Sequence, residues 1–461
     1  MSASRSFESN SAFALLLCLT GTCAFARLKM QMGERLLMKG FRLGLLSLFV
    51  GGVFAQNATP PDPQASTNPL TLASGLLEHN FVNFYAYANG VYDTQSLPGS
   101  QSLNSWGEEF GGGITAAHQL QNGSLSLDYR GDYRNYQSSD YGSGTDQNLN
   151  FGINKQLSKR WTLSFYQAAG IFLYGGTYLS VQPVGSNAVS TNPFSPETKF
   201  LSSSLTMNYQ YTRRLSFSIS GNFFLNRYNY AGAIGTTGFI GTLSTSYRLT
   251  RHTSFGAGYS HNYYGYQQGA GNAQADNVYL FVSHQFRSNW NASLNAGVTR
   301  SNSAGTITIP VSFLADGQII SGYEVGHYNQ TTIFPSFQAT LTHSLRHTQV
   351  SLTAGQGISS GNGFFLASRS DFANGFFSYT MRHSSLGIGG AYYRYGSVAN
   401  TVTAGYTSAS LIASYSINLA RHFGTSLGYT LVYYLDFGGR SENRFTFGVF
   451  FSSKNVPLTL F

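Results

Sequence analysis

The sequence predicts an all-β fold: a transmembrane antiparallel up-and-down β-barrel of about 18 strands, with 16 as the alternative, preceded by a signal peptide. Three observations point there. Only 10% of the 461 residues are charged, against about 25% in soluble domains, too few to cover a soluble protein of this size. Mean hydropathy is close to neutral, which excludes a chain built from many apolar helical spans of about 20 residues. Aromatics make up 15% and glycines number 52, in long stretches where apolar and polar residues alternate. That is the profile of a sheet with lipid on one face and water on the other.

The first element is a leader. Met38-Lys39-Gly40-Phe41-Arg42 supplies charge, Leu43 to Phe54 an apolar core, and Val53-Phe54-Ala55 a small-residue cleavage site before Gln56. Residues 1–55 are therefore expected to be a signal peptide whose start is over-extended, the true start lying at Met30, Met32 or Met38. An earlier apolar run, Ala12 to Ala26, has a poorer charged segment, and the alternative of a short membrane anchor fits badly with the length of either run. Cys18 and Cys23, the only cysteines, fall inside the leader, so a mature chain contains no disulfide or cysteine-based metal site. Residues 56–80 carry Pro60, Pro61, Pro63 and Pro69 and read as a periplasmic lead-in. Protein purified from the envelope is expected to begin at Gln56.

From Phe81 to Phe461 the period is two. Leu125, Leu127, Tyr129, Gly131 and Tyr133 alternate with Ser124, Ser126, Asp128, Arg130 and Asp132. Leu215, Phe217, Ile219, Gly221 and Phe223 alternate with Ser216, Ser218, Ser220 and Asn222. A helix cannot sort residues onto two opposed faces in this way. The first half of the chain contains strand segments at 81–92, 106–120, 123–136, 146–157, 160–173, 200–212, 215–228, 237–250 and 253–266. The second half contains them at 276–287, 290–301, 331–345, 348–359, 372–383, 386–397, 405–419, 423–437 and 442–453. Parity is mixed in 364–383 and 386–397, which is why 16 strands stays open. Of the eleven prolines, Pro335 alone sits in a predicted strand, as expected if proline is kept out of hydrogen-bonded ladders.

Connections alternate long and short. The short ones include Gln121-Asn122-Gly123, Arg213-Arg214, Arg251-His252, Arg346-His347 and Arg421-His422; the long ones include 174–199, 267–275, 302–330 and 360–371. Tight periplasmic turns and longer outer loops are the asymmetry of outer-membrane barrels, and an even strand number puts both ends of the barrel on the periplasmic side. The chain closes with Phe445, Phe447, Val449 and Phe451, then Leu458-Thr459-Leu460-Phe461. On these residues residues 81–461 resemble the porin-like outer-membrane β-barrel class, at the level of architecture. The resemblance implies a terminal strand read by the barrel-assembly machinery through Phe461. Pro457 and Thr459 depart from its alternation, so the last strand is expected to end near Ser452.

The polar face is mostly Ser, Thr, Asn, Gln and Gly, implying a wide, neutral, hydrated lumen. Two uses follow: passive diffusion of small polar solutes, or a blocked barrel that anchors or partners an assembly through its outer loops. Asp128, Arg130, Asp132 and Arg134 stand out on one face of one strand, and Glu109, Arg248, Arg287 and Arg444 fall on polar faces that can join them. They form either a charged constriction that sets ion preference or a self-paired structural ladder. The loop at 174–199 has the position of a pore-narrowing loop. The loop at 302–330 is apolar enough to form an outer hairpin, enter the lumen or bind a partner.

His252, His343, His347, His383 and His422 lie at turns beside arginine and suit solvation at the headgroup level. No metal motif, cofactor motif or catalytic constellation is present, so no enzyme activity is expected. The formal charge of +9 is partly carried by the leader and otherwise dispersed, which excludes a nucleic-acid partner. Partners expected are outer-membrane lipid and small polar solutes; assembly into a homo-oligomer stays open. Tyr133, Tyr141, Tyr174, Tyr209, Tyr211, Tyr263, Tyr264, Tyr392, Tyr393, Tyr433 and Tyr434 are expected to form interfacial aromatic girdles. The competing use, a lumenal row of rings, would draw on Tyr136, Tyr166, Phe224, Tyr264, Phe281 and Tyr434.

Overall fold

The computed structural model describes residues 80–96, 103–138, 143–172, 197–229, 234–267, 269–287, 289–315, 318–359, 367–397, 405–435, 440–453 and 456–457. The leader, the lead-in, Tyr141, Tyr174, almost all of the 174–199 loop and Phe461 lie outside them. Eighteen strands follow in chain order. They are β1 (Phe81–Ser96), β2 (Leu103–Leu120), β3 (Gly123–Tyr136), β4 (Gly144–Gln156), β5 (Trp161–Phe172) and β6 (Thr198–Gln210). Next come β7 (Leu215–Tyr228), β8 (Thr236–Arg248), β9 (Thr253–Tyr266), β10 (Gly271–Arg287), β11 (Trp290–Ala315) and β12 (Gln318–Ser344). The last are β13 (Thr348–Ser359), β14 (Ser368–Thr380), β15 (Ser384–Ser397), β16 (Gly405–Asn418), β17 (Phe423–Tyr434) and β18 (Arg440–Ser452). The two-residue β19 (Val456–Pro457) pairs with the start of β1.

Each strand pairs antiparallel with the next, and β1 pairs with β18 from Tyr85↔Ser452 to Ser96↔Ser441. The sheet therefore closes on itself. A closed sheet leaves no open edge in lipid, where an unpaired backbone group costs several kcal/mol. Eighteen strands replace the 16-strand alternative, and β18 ends at Ser452 as expected.

The period-two pattern becomes two surfaces. Leu205, Phe217, Ile219, Leu243, Phe255, Leu280, Val298, Ile333, Leu427 and Phe447 are exposed apolar residues on the outer face. Alternate positions on the same strands point inward and are buried or half-buried. At the short-turn end the apolar belt finishes in ring pairs: Trp161 with Tyr209 at 4.5 Å between centroids and Trp290 with His343 at 4.2 Å. At the long-loop end Tyr92 and Trp106 meet at 4.6 Å. Amphipathic rings at both limits of an apolar belt are the girdles of a membrane barrel.

Three predicted outer connections are shorter than expected because the strands continue into them. β10 begins at Gly271, so the turn is 267–270, held by Gly269 (φ +72°) and Gly271 (φ +114°) in conformations that favour glycine. β14 begins at Ser368 rather than 372. The segment 302–330 is no loop: β11 and β12 pair continuously from Trp290↔His343 to Ala315↔Gln318. Of the three uses open to this segment, the hairpin is the one formed. β10 follows β11 only as far as Gly271↔Gly305, and β12 meets β13 only from Phe337↔Gln356 inward. Pro335 sits two residues from that limit, facing Val298 on β11. A proline has no N–H to give a second ladder, which is why it is tolerated here.

Candidate functional site

The inner face is built in two halves of different chemistry. On β18, β1, β2, β3 and β4 it is ionic. Register brings the groups together: Asp93 faces Arg444, Glu109 faces Arg134, Gly111 faces Asp132, and Asp132 faces Asp146. Arg134 donates from Nε and Nη2 to Glu109 Oε2 at 3.2 and 3.0 Å, and its Nη2 lies 3.5 Å from Asp146 Oδ2. Arg130 donates from Nε and Nη2 to Tyr87 Oη at 3.2 and 2.8 Å. Tyr87 Oη in turn donates to Asp132 Oδ2 at 2.9 Å. Arg130 Nε is also 3.4 Å from Asp132 Oδ2, and its guanidinium carbon stands 5.2 Å from the centre of the Tyr87 ring.

Arg444 grips Asp93 with two parallel bonds, Nε to Oδ1 at 2.8 Å and Nη2 to Oδ2 at 3.0 Å. Fork-to-carboxylate geometry of this kind fixes direction as well as distance. Tyr136 Oη donates to Asp93 Oδ2 and accepts from Arg444 Nη2 at 3.1 Å. Higher on the same wall Arg440 Nη2 and Gln95 Nε2 both donate to Glu442 Oε1 at 2.7 Å. Three guanidinium groups, Arg130, Arg134 and Arg444, thus interlock with four carboxylates, Asp93, Glu109, Asp132 and Asp146.

The Gly111-Gly112-Gly113 run of β2 makes room for this network. A Cβ at Gly111 would overlap the Tyr87 ring and come within 2.7 Å of Asp132 Cβ. The missing side chain on the middle strand lets Tyr87 of β1 reach Asp132 of β3 across it.

Five of the eight expected residues meet here: Glu109, Arg130, Asp132, Arg134 and Arg444. Asp128 is a separate node, accepting from Thr115 Oγ1 at 2.8 Å and Asn150 Nδ2 at 3.4 Å. Arg248 does not join. It is exposed at the short-turn end of β8, which is not one of the strands of the wall. Arg287 ends β10 beside a register shift between Gln285 and Arg287, and its side chain is outside the described set. Sequence reasoning missed Asp93, Asp146 and Tyr87. Each occupies an inward parity position, but only the register between strands puts it beside an arginine.

The opposite half, on β7 and β9 to β13, is uncharged. Ser336 Oγ donates to Asn277 Oδ1 at 2.9 Å, and Asn262, Thr299, Ser301 and Ser303 are buried around them. The lumen is not purely polar, however. Phe224, Tyr264, Phe334 and Ile358 pack into one apolar cluster with Tyr266, Ala273, Ala275 and Ala367. Phe372, Tyr393 and Tyr395 form a second. Tyr264, Tyr393 and Tyr434 are therefore not girdle residues: they are 3%, 7% and 1% exposed and point inward. Parity decides it, because each sits one residue from an outward neighbour, Tyr263, Tyr392 and Tyr433. Of the alternative row of rings, Phe224 and Tyr264 do meet, at 6.0 Å between centroids, while Tyr136 belongs to the ionic half and Tyr166, on the adjoining β5, donates to Asn150 Oδ1 at 2.8 Å.

His343 and His347 have separate partners, Asn289 O at 3.2 Å and Thr380 O at 3.0 Å, and hold no site between them.

No family model and no curated protein matches the chain. Among solved structures it is similar to OccAB4 of Acinetobacter baumannii, with 8% identity, 82% of this chain and 99% of that chain covered, and a TM-score of 0.38. OpdQ of Pseudomonas aeruginosa gives 10% identity, coverage of 81% and 98%, and a TM-score of 0.38. OccK2 (OpdF) of Pseudomonas aeruginosa in complex with glucuronate gives 10%, 81% and 98%, and 0.40. By its own strand pairing and its lipid-type outer face, the chain is a closed, eighteen-strand transmembrane β-barrel with an ionic wall on one side of its interior.

Proposed function

We propose that this barrel is an outer-membrane channel for passive diffusion of small polar solutes, and that the wall on β18 and β1–β4 screens them by charge. One observation carries the reading. Seven ionised side chains are held on the inner face of a closed barrel, where a structural protein would need none. Burying so many charges costs desolvation energy that pairing at best offsets, so stability alone is a poor reason to keep them. Arg130 is the member of the central Arg130–Glu109–Arg134 group left most open, with 13% of its side chain exposed against 4% for Arg134 and 7% for Glu109. It and Arg444, at 18%, are the guanidinium groups of the network that a passing solute can reach. Charged rings and walls at such positions set ion preference in pores.

The test is conductance of the purified protein in planar bilayers under a salt gradient. Open steps with a reversal potential that moves toward cation preference in Arg130→Gln support the reading. Open steps with an unmoved potential would remove the screening role while leaving a channel. A second reading, a barrel whose lumen is blocked and which acts through its outer surface, draws on the Phe224, Tyr264, Phe334 and Ile358 cluster inside the lumen. Silence in the bilayer favours it.

A further inference from the structure

Six of the eight short turns share one construction. An apolar or aromatic residue is followed, directly or after one small residue, by two basic residues: Leu157-Ser158-Lys159-Arg160, Tyr211-Thr212-Arg213-Arg214, Leu249-Thr250-Arg251-His252, Leu345-Arg346-His347, Met381-Arg382-His383 and Leu419-Ala420-Arg421-His422. None of the eight short turns contains Asp or Glu. The chain thus repeats a cationic tip around one rim, in turns that hold no carboxylate side chain.

The turn geometry explains how the side chains stay available. Thr212 Oγ1 accepts the backbone N–H of Arg214 at 3.2 Å and of Leu215 at 3.0 Å. Thr250 Oγ1 does the same for His252 and Thr253 at 3.1 and 3.0 Å, and Ser158 Oγ for Arg160 and Trp161 at 3.2 Å. In these three turns the small hydroxyl residue closes the turn, so the basic side chains need make no local bond. Two of the histidines then tie one turn to the next strand, His347 Nδ1 to Thr380 O and His422 Nδ1 to Ser452 O at 2.9 Å. The first basic residue of each turn (Lys159, Arg213, Arg251, Arg346, Arg382 and Arg421) is exposed and forms no ion pair among the described residues.

These tips lie two to four residues along the chain from the ring that ends the apolar belt: Trp161, Tyr211, Phe255, Tyr379 and Phe423 are outward and exposed. Cations at that depth stand at the headgroups of the leaflet on the short-turn side. Like charges with no internal partner repel one another, and headgroup phosphates supply the missing counter-charge.

Building on the membrane-spanning reading above, we infer that the short-turn rim is a binding surface for anionic phospholipid, recognising the phosphates of its own leaflet around the whole circumference. The attraction of a cation near such a surface is about fivefold in partition per charge, so six acting together produce a clear preference.

The experiment exchanges Arg213, Arg251, Arg346, Arg382 and Arg421 for Gln together with Lys159→Gln, in the full chain. Wild type and variant are equilibrated in mixed micelles of equal phosphatidylglycerol and phosphatidylcholine, and lipid retained after gel filtration is measured by mass spectrometry. Wild type is expected to retain phosphatidylglycerol in roughly tenfold excess, and the variant to fall to near parity. A matched variant at the other rim, Arg227→Gln with Arg300→Gln, is expected to keep the excess. Equal retention by wild type, or an excess that survives in the variant, overturns the proposal. So does loss of sedimentation with purified peptidoglycan in the variant without any lipid preference in wild type, which would assign the rim to the wall polymer. Migration on unboiled gels reports separately whether each protein is a folded barrel, so failure of the membrane reading and failure of the lipid proposal are distinguishable.

Discussion

Asp93 and Arg444 show what one side chain is worth inside this barrel. Their two-bond contact is buried, with 8% and 18% of the side chains exposed. Removing one partner strands the other without water. Asp93→Ala is expected to lower unfolding free energy in urea by about 3 kcal/mol. Adding Arg444→Met should recover most of that loss, because the unpaired charge goes with it. Equal destabilisation in the single and double variants would mean the pair is not the source. At Gly111 the expected effect runs through geometry: Gly111→Val drives a branched side chain into Tyr87. It should move the reversal potential in the same direction as Arg130→Gln and cost about 1–3 kcal/mol of stability from the overpacking, with the barrel still closed. Asp128, Arg130, Asp132 and Arg134 were legible as a group in the sequence, because four charges at alternate positions in a charge-poor chain can only share a face. Asp93, Asp146 and Tyr87 were not, since none belongs to a run of alternating charges and each acquires its partner from register.

At the scale of elements, strand existence was legible almost everywhere and strand length was not. Alternation marks a strand only where one face meets lipid and the other water, so it fades where a strand rises above the belt. β11 and β12 continue beyond the belt, and past Gly305 their only ladder is with each other, with Thr306 Oγ1 donating to Gly269 O at 3.3 Å as a side-chain tie to the next turn. Shortening this hairpin, by replacing residues 308–325 with a Asn-Gly turn, is expected to leave the thermal midpoint within about 3 °C of wild type by circular dichroism, because no neighbouring strand loses a ladder bond. A fall beyond 10 °C would show that the hairpin supports the wall below it. The turns are the reverse case. Their basic residues were plain in the sequence as isolated pairs, but their arrangement as one cationic rim emerges only when the sheet is closed.

The whole molecule is a sheet with three distinct environments, and composition had already announced two of them. Few charges, many rings and many glycines required a lipid face and a wet face, and both are present. What composition cannot convey is the division of the wet face into an ionic half and an uncharged half with apolar clusters. Both halves use residues of the same parity, and they differ only in which strands they occupy. The uncharged half predicts that substitutions there act on passage rather than on ion preference. Phe334→Ala, which thins the apolar cluster, is expected to raise single-channel conductance with an unchanged reversal potential, measured in the same bilayers. A shifted potential with unchanged conductance would place the constriction elsewhere.

The bond between Arg444 and Asp93 joins residues 351 positions apart, across the seam where the first strand meets the last. Every other strand junction links sequence neighbours. Closure of that seam is the most non-local event in the folding of this chain, and distant contacts are the slow ones. A barrel caught before closure has its lipid belt and most of its hairpins, yet Arg444 has no Asp93 and Tyr136 completes no bridge. The Arg444–Asp93–Tyr136 part of the proposed charge screen therefore forms only when that seam closes, whereas Glu109, Arg130, Asp132, Arg134 and Asp146 find their partners within β1–β4. On the proposed reading a half-built barrel is a leak with an incomplete filter, and the charged clasp that completes the filter is also the one that shuts the leak.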